Sequence, residues 1–256
     1  MTKTILITGA TDGIGLLTAK MLAGAGHKLL LHGRSADKLS AAMAEVGGTA
    51  TPFQADLSSL SETRTLAERV GQEVDKLDIT INNAGVYKTA QPILQIGQDV
   101  RFVVNTLAPY ALTQALLPLV PKDGRIINLS SAAQAPVDIA ALRGGTRLED
   151  MAAYAQSKRA ITLWSAALAA AHANGPTFLS VNPGSLLATK MVREGFGVAG
   201  NDLRIGADIL CRLALDAEFS NHSGEYWDND SGRFAPVDLS QAHEVTTEVE
   251  RLTAAP

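Results

Sequence analysis

Tyr154 and Lys158 stand four residues apart in the alanine-rich run AAYAQSKRA, residues 152–160. On a helix, positions i and i+4 share a face, so this phenol and ammonium project together. A phenol with its ordinary pKa of about 10 is a poor base and a weak acid near neutrality. A nearby ammonium favours the phenolate, each tenfold gain in acidity being worth about 1.4 kcal/mol. Ser131 ends GRIINLSS, an expected strand just before that helix, and offers a hydroxyl to an oxygen on which negative charge develops. Asn105 lies in the apolar run VVNTLAPYALTQALLP, where an asparagine is unfavourable unless its amide is used. Alone, Tyr154 reads as a buried helix tyrosine and Lys158 as a snorkelling lysine. Together the four groups can move a proton on and off a substrate oxygen.

Groups so far apart in the chain need a scaffold. Short aliphatic runs alternate with longer helical patterns: KTILIT, HKLLLHG, TATPFQADL, LDITINNAG, GRIINLSS and TFLSVNPG read as strands, with GEYWDND as a seventh. Continuous apolar strands separated by helices of ten or more residues imply a parallel sheet covered on both faces. The expected fold is α/β: a doubly wound, Rossmann-type sheet of about seven strands. With no repeat, low-complexity segment or linker, residues 1–256 are expected to form one domain. Two irregular stretches, residues 132–150 and 184–201, follow strand ends, where such sheets place ligands. The second is expected to belong to a substrate lid at residues 185–203.

TGATDGIG joins the first strand to the first helix, with Gly9, Gly13 and Gly15 in a Gly-x-x-x-Gly-x-Gly spacing. Glycines there permit a tight turn and bring backbone N–H groups and a helix N-terminus to a pyrophosphate. Thr11, Asp12 and Ile14 belong to the same cofactor-binding turn. The absence of Gly-Lys-Ser/Thr argues against a nucleoside triphosphatase loop. The second strand ends LLLHGRSADK, with no acid at its end and Arg34 just after it. An arginine there accommodates a 2′-phosphate and Ser35 can add a hydroxyl, so NADP is expected, with NAD as the alternative.

TGATDGIG, NNAG and Tyr154-x-x-x-Lys158, in this order, resemble the short-chain dehydrogenase/reductase family from Lys3 to about Gly184, with a weaker echo in SGEYWDNDSGRF. The resemblance implies a catalytic tetrad of Asn105, Ser131, Tyr154 and Lys158. Hydride would pass between nicotinamide and a carbonyl carbon, with Tyr154 as general acid/base and Lys158 also on the nicotinamide ribose. It gives Asn105 a water linking Lys158 to solvent. Asp56 and Leu57 would meet the adenine edge, although Asp56 also suits the N-cap of the next helix. Asn83, Ala84 and Gly85 would border the cofactor, and Pro183 and Gly184 the nicotinamide. Thr189 stands one residue beyond the family's carboxamide-binding threonine, at whose place this chain has Ala188. The long segment between Ser131 and Tyr154 is similar to that of retinol-dehydrogenase-like and protochlorophyllide-reductase-like members. Leu187, Met191 and Phe196 suggest an apolar lid and a lipophilic substrate, or simply a loop packed on the body. Family members often pair through the helix matching AITLWSAALAA, which makes Trp164 a candidate anchor for a second copy. A non-enzymatic NADP(H)-binding redox sensor is the competing reading, but such relatives usually lose the tyrosine or the lysine.

A net charge of −4 with no block of lysine or arginine at either end argues against nucleic acid or anionic membrane as partner. No run approaches the roughly 18 uninterrupted apolar residues of a membrane span. The start lacks a signal-peptide cleavage pattern, so a cytoplasmic location is expected. The single cysteine, Cys211, reads as a small apolar helix residue, and the five histidines show no ligand spacing, so no metal is expected.

Overall fold

The computed structural model describes residues 1–48 and 50–254, and of Phe196 the backbone alone. Eight strands form one sheet in the order β3-β2-β1-β4-β5-β6-β7-β8. These are β1 (Thr4–Ile7), β2 (Lys28–Gly33), β3 (Ala50–Gln54), β4 (Ile79–Asn82), β5 (Arg125–Leu129), β6 (Thr177–Asn182), β7 (Tyr226–Asp228) and β8 (Arg233–Ala235). All pairings are parallel except that of β7 with β8. The expected seven strands thus become eight, because the turn after Asp228 folds a three-residue edge strand back on β7.

The crossovers are α1 (Gly13–Gly24), α2 (Ala36–Val46), α3 (Leu60–Glu73), α4 (Val100–Phe102) and α5 (Ala108–Leu116), then α6 (Ile139–Leu142), α7 (Asp150–Ala171), α8 (Lys190–Phe196), α9 (Leu203–Leu215) and α10 (Ala242–Thr253). Strand residues alternate between the two helical layers, as pleating requires. Ile5, Ile7, Leu29 and Leu31 pack with Leu22 of α1 and Ile209, Leu210 and Leu213 of α9. Leu6 and Leu30 meet Leu66 and Val70 of α3 and Leu112 and Leu116 of α5. Ile126 and Phe178 meet Ile161, Trp164 and Leu168 of α7, with Val245 and Val249 of α10 beyond them.

Between α4 and α5 the chain makes a π-helical turn, Val103–Leu107, with Asn105 at its centre. By length and composition Val100–Leu119 qualifies as a membrane span, yet 67% of its apolar window is buried inside the fold. Its Phe102, Leu107 and Leu112 are core residues.

The α7 face expected to meet a second copy is covered within the chain by α10. Trp164 is 0% exposed, stacked edge-on against Tyr110 with ring centroids 5.5 Å apart. Tyr110 in turn donates to Glu250 Oε1 of α10 at 3.0 Å. Trp164 is therefore a core residue and not an exposed anchor. Cys211 lies partly buried against the apolar layer of α9, as its neighbours imply.

Candidate active site

At the C-terminal ends of the strands, beside the point where the strand order reverses between β1 and β4, a cleft of about 780 Å³ opens. This is where open α/β sheets bind ligands. Its walls include Gly9, Thr11, Asp12, Gly13, Ile14, Gly15, Arg34, Asp56, Leu57, Asn83, Ala84, Gly85, Ser131, Tyr154, Lys158, Pro183, Gly184 and Thr189. Of the sequence-derived site residues, only Ser35 and Asn105 stand outside the lining.

The glycine turn is built by close approach. Gly9 has φ +65°, and a Cβ there would come within 2.9 Å of Ala84 Cα. A Cβ on Gly15 would fall 2.4 Å from both Asn83 Nδ2 and Gly9 O. Asn83 Nδ2 donates to Thr8 O at 2.8 Å and Gly9 O at 3.0 Å, so NNAG braces the turn from the neighbouring strand. Asp12 caps α1, its Oδ1 accepting from Gly13 N at 2.7 Å, which leaves a carboxylate beside the helix N-terminus. His32, 3% exposed, joins the turn to the end of β3. Its Nδ1 accepts from Gly9 N at 3.2 Å and its Nε2 lies 3.0 Å from Ala55 O. Burial lowers its pKa, against the opposing effect of the Ala55 bond, and the two contacts suit the neutral ring with its proton on Nε2.

At the far end of the cleft, Arg34 and Lys38 line the same rim. Ser35 is occupied as the N-cap of α2, its Oγ accepting from Lys38 N at 3.4 Å. Lys38 escaped the sequence reading, although it lies four residues after Arg34, in the first turn of α2. Asp56 does not cap a helix: Ser59 is the N-cap of α3, while Asp56 Oδ1 accepts from Ser58 N at 2.9 Å.

At the opposite end, Tyr154 and Ser131 both line the cleft, and the Ser131 hydroxyl is near enough to the phenol to favour its ionised form. Ser131 Oγ accepts from Ala133 N at 3.1 Å, and its carbonyl oxygen accepts from Tyr226 Oη at 3.0 Å. Lys158 Nζ donates to Leu129 O at 2.6 Å and lies 5.8 Å from the Tyr154 ring centroid. Burial pushes the Tyr154 phenol above 10, the Ser131 hydroxyl opposing and Tyr87 adding to the rise. Burial brings the Lys158 ammonium down to about 8. The phenol's loss of water outweighs its polar contacts, while the Lys158 ammonium faces the ring and a backbone carbonyl.

Asn105 is fully buried, and its amide is committed to protein. Oδ1 accepts from Val86 N at 2.8 Å, and Nδ2 donates to Val86 O at 2.9 Å and Ser157 Oγ at 2.9 Å. Its side chain holds the loop after NNAG and ties it to Ser157 of α7. A second buried device went unread: Arg101, 1% exposed, binds Asp99 through Nη2 at 2.6 Å and Nε at 2.8 Å, and Asp150 through Nη1 at 2.5 Å. It ties α4 to the first turn of α7, the helix that carries Tyr154 and Lys158.

The expected lid contains α8, capped by Thr189 through Oγ1 to Val192 N at 3.1 Å. Its ends are zipped: Ala188 N donates to Asn201 O and Asn201 N to Leu186 O, both at 2.7 Å. Leu187 is 3% exposed and belongs to the core, so it roots the lid. Met191 and Val192 line the cleft, and the Phe196 side chain lies outside the described residues. In the 132–150 segment, Ala132 and Ala133 line the cleft. Beyond them the segment is pinned to the C-terminal region, Val137 N accepted by Gln241 Oε1 at 2.9 Å and Arg143 paired with Glu248 at 2.7 Å. Among the described residues no three His, Cys, Asp or Glu gather as a metal site.

Residues 3–196 match the family model for short chain dehydrogenases. Retinol dehydrogenase 13 of Homo sapiens is 32% identical over 251 residues, covering 88% of this chain and 76% of that protein. A crystal structure of an uncharacterized protein from Mycobacterium Paratuberculosis superposes with a TM-score of 0.80 at 27% identity, covering 98% of this chain and 93% of the other. A blue fluorescent protein from a metagenomic library, solved in complex with NADPH, gives a TM-score of 0.71 at 25% identity over 90% of this chain and 97% of its own.

Proposed function

Because the chain belongs to the short-chain dehydrogenase/reductase family, we propose that it is an NADP(H)-dependent oxidoreductase in which Tyr154 exchanges the proton on the oxygen of a carbonyl or alcohol. The observation that carries this reading is one continuous cleft with a proton-transfer group at one end, a glycine turn and helix N-terminus between, and two cations at the other. These donors fit a dinucleotide phosphate: Gly9, Gly13 and Gly15 leave room for a pyrophosphate, and Arg34 with Lys38 supplies charge for a 2′-phosphate where β2 ends without an acid. The NADPH held by the structurally similar fluorescent protein supports the same choice. NADP(H), when bound, supplies or takes the hydride.

This chain's residues manage the oxygen. Ser131, on the same cleft wall as Tyr154, would bond the substrate oxygen as negative charge grows on it. Burial keeps the Tyr154 phenol protonated at neutral pH, the form that donates in the reduction direction. Lys158, one turn away and also on the cleft wall, is placed for the nicotinamide ribose and for stabilising the phenolate left after donation. Val86, Ala133, Met151, Met191 and Val192 give the mouth an apolar lining, which supports a lipophilic aldehyde or ketone.

The test is a panel of aldehydes and ketones followed through NADPH absorbance, repeated with NADH, for the wild type and Tyr154→Phe. Turnover with NADPH preferred, at least a thousandfold loss in Tyr154→Phe and unchanged NADPH affinity are expected. Wild-type turnover by Tyr154→Phe refutes the proton-transfer role, and preference for NADH refutes the role of Arg34. NADPH binding without turnover of any carbonyl would replace this reading by that of a redox sensor.

A further inference from the structure

We propose that Tyr87 is a positioning residue that couples the lid to the general acid/base, its ring touching both helix α8 and the ring of Tyr154. This rests on reading Tyr154 as the proton-transfer group.

Tyr87 directly follows Val86, whose N–H and C=O are both gripped by the Asn105 amide, at 2.8 and 2.9 Å. Its backbone thus leaves a fixed point, and its side chain is 7% exposed. The Tyr87 and Tyr154 ring centroids lie 5.2 Å apart with planes at 61°, an edge-to-face contact. Such contacts prefer particular orientations and are worth about 0.5–1.5 kcal/mol beyond area burial. Gly195 of α8 meets the same ring. A Cβ built there would stand 2.7 Å from Tyr87 Cδ1 and 2.8 Å from Cε1, closer than real Cβ atoms approach. Gly195 is not among the glycines of positive φ, so what residue 195 must supply is space and not an unusual backbone.

The contacts Gly195–Tyr87 and Tyr87–Tyr154 therefore link the lid to the proton donor through one ring. The zipped ends at Leu186–Ala188 and Asn201 tie the residues between them into one loop, and the α8 face carrying Gly195 seats on the Tyr87 ring. With α8 seated, Tyr87 can hold Tyr154 in one orientation toward Ser131. With α8 lifted, that ring loses its contact with the lid. Proton transfer is thereby favoured when the lid covers the substrate, which keeps the reaction from proceeding in an open, wet cleft.

The experiment is a bump-and-hole cycle on the full chain, with NADPH and a carbonyl that the wild type reduces. Gly195→Ala is expected to lower kcat about tenfold with the KM for NADPH within twofold. Tyr87→Phe, which keeps the ring, should stay within threefold of wild type, and Tyr87→Leu should lose about tenfold. The double variant Gly195→Ala/Tyr87→Leu should be no slower than Tyr87→Leu alone, since the bump then meets a hole. Wild-type kcat in Gly195→Ala, multiplicative losses in the double variant, or equal losses in Tyr87→Phe and Tyr87→Leu would overturn the proposal. Should Tyr87→Leu fail to fold, Tyr87→Met completes the cycle with the same outcomes. Tyr154→Phe retains the ring stack, so its activity tests the acid/base reading separately from the cycle.

Discussion

Lys158 is the residue whose removal should strengthen the fold while ending the reaction. It is 4% exposed, its Nζ donates to Leu129 O at 2.6 Å, and burial alone lowers its pKa from 10.5 to about 8. Each tenfold loss of proton affinity is worth about 1.4 kcal/mol, so holding the ammonium at pH 7 costs the fold about 3 kcal/mol. Lys158→Met keeps the stem and removes the charge. Against that gain stands the lost charged hydrogen bond to Leu129, about 1.5–3 kcal/mol. A net stabilisation of about 1 kcal/mol is left, or a Tm rise of about 2–4 °C for a chain of this size. The pH dependence isolates the cause. The unfolded chain keeps this proton up to 10.5 and the native chain releases it near 8, so between them unfolding takes up a proton and the wild type gains stability as pH rises. From pH 7 to pH 9 the difference between the proteins should move about 1.4 kcal/mol toward the wild type. Urea unfolding of both proteins without cofactor, at pH 7 and pH 9, measures it. A variant less stable than wild type at pH 7, or a difference unchanged between the two pH values, refutes the argument that Lys158 is held charged against its desolvation.

Arg101→Met should cost about 3 kcal/mol in urea unfolding, because the buried Asp99 carboxylate is left unpaired, and Asp99→Asn in the same chain should recover part of the loss; a single variant with the wild-type midpoint contradicts this. Asp12→Asn keeps the α1 cap and removes the carboxylate beside the expected pyrophosphate, so NADPH should bind at least threefold tighter at low salt by fluorescence titration, and less so at high salt. Unchanged affinity would put the pyrophosphate elsewhere. His32 must be neutral to accept from Gly9 N, and burial lowers its pKa below the ordinary 6.5. Its contribution is therefore complete above 6.5 and declines as pH falls below it, a slope in Tm that His32→Asn, which cannot take up a proton, should lack; equal slopes would clear His32 of that role.

The parts of the fold legible in the sequence are those whose signal is local. Ile5 to Ile7, Leu29 to Leu31 and Ile79 to Ile81 are buried on both faces, so their apolar runs announce strands without any knowledge of neighbours. Gly9 and Gly15 announce a turn because each sits where a side chain has no room. Helix α10 announces itself poorly, with Val245 and Val249 its fully buried apolar side chains, yet it decides the fate of Trp164 from about eighty residues away. Strand β8 has three residues and no pattern to read. Lys38, Tyr87 and Arg101 take their meaning from what stands across the cleft or helix, and nothing beside them in the chain reveals it. The ionisation of Tyr154 is of the same kind: spacing reports that an ammonium is near but not which way it points.

The unread groups have a common purpose, visible in the polar seam between α7 and β5. Ser157, Lys158, Thr162 and Ser165 are all buried on α7, an expensive pattern for a helix against a sheet unless each group is paired. Each is. Ser157 Oγ accepts from Asn105 Nδ2, Ser165 Oγ accepts from Asn128 Nδ2 at 3.1 Å, and Thr162 Oγ1 donates to Ser130 Oγ at 2.8 Å. Ser130 Oγ donates to Lys158 O at 2.7 Å. Apolar packing tolerates a helix sliding by part of a turn, whereas this ladder is satisfied in one register only. One register of α7 on β5 sets where Tyr154 stands relative to Ser131, two residues beyond the strand's end. The ladder and the Arg101 clamp at the start of α7 therefore serve the same end: they fix where the Tyr154 side chain leaves α7 on the cleft wall.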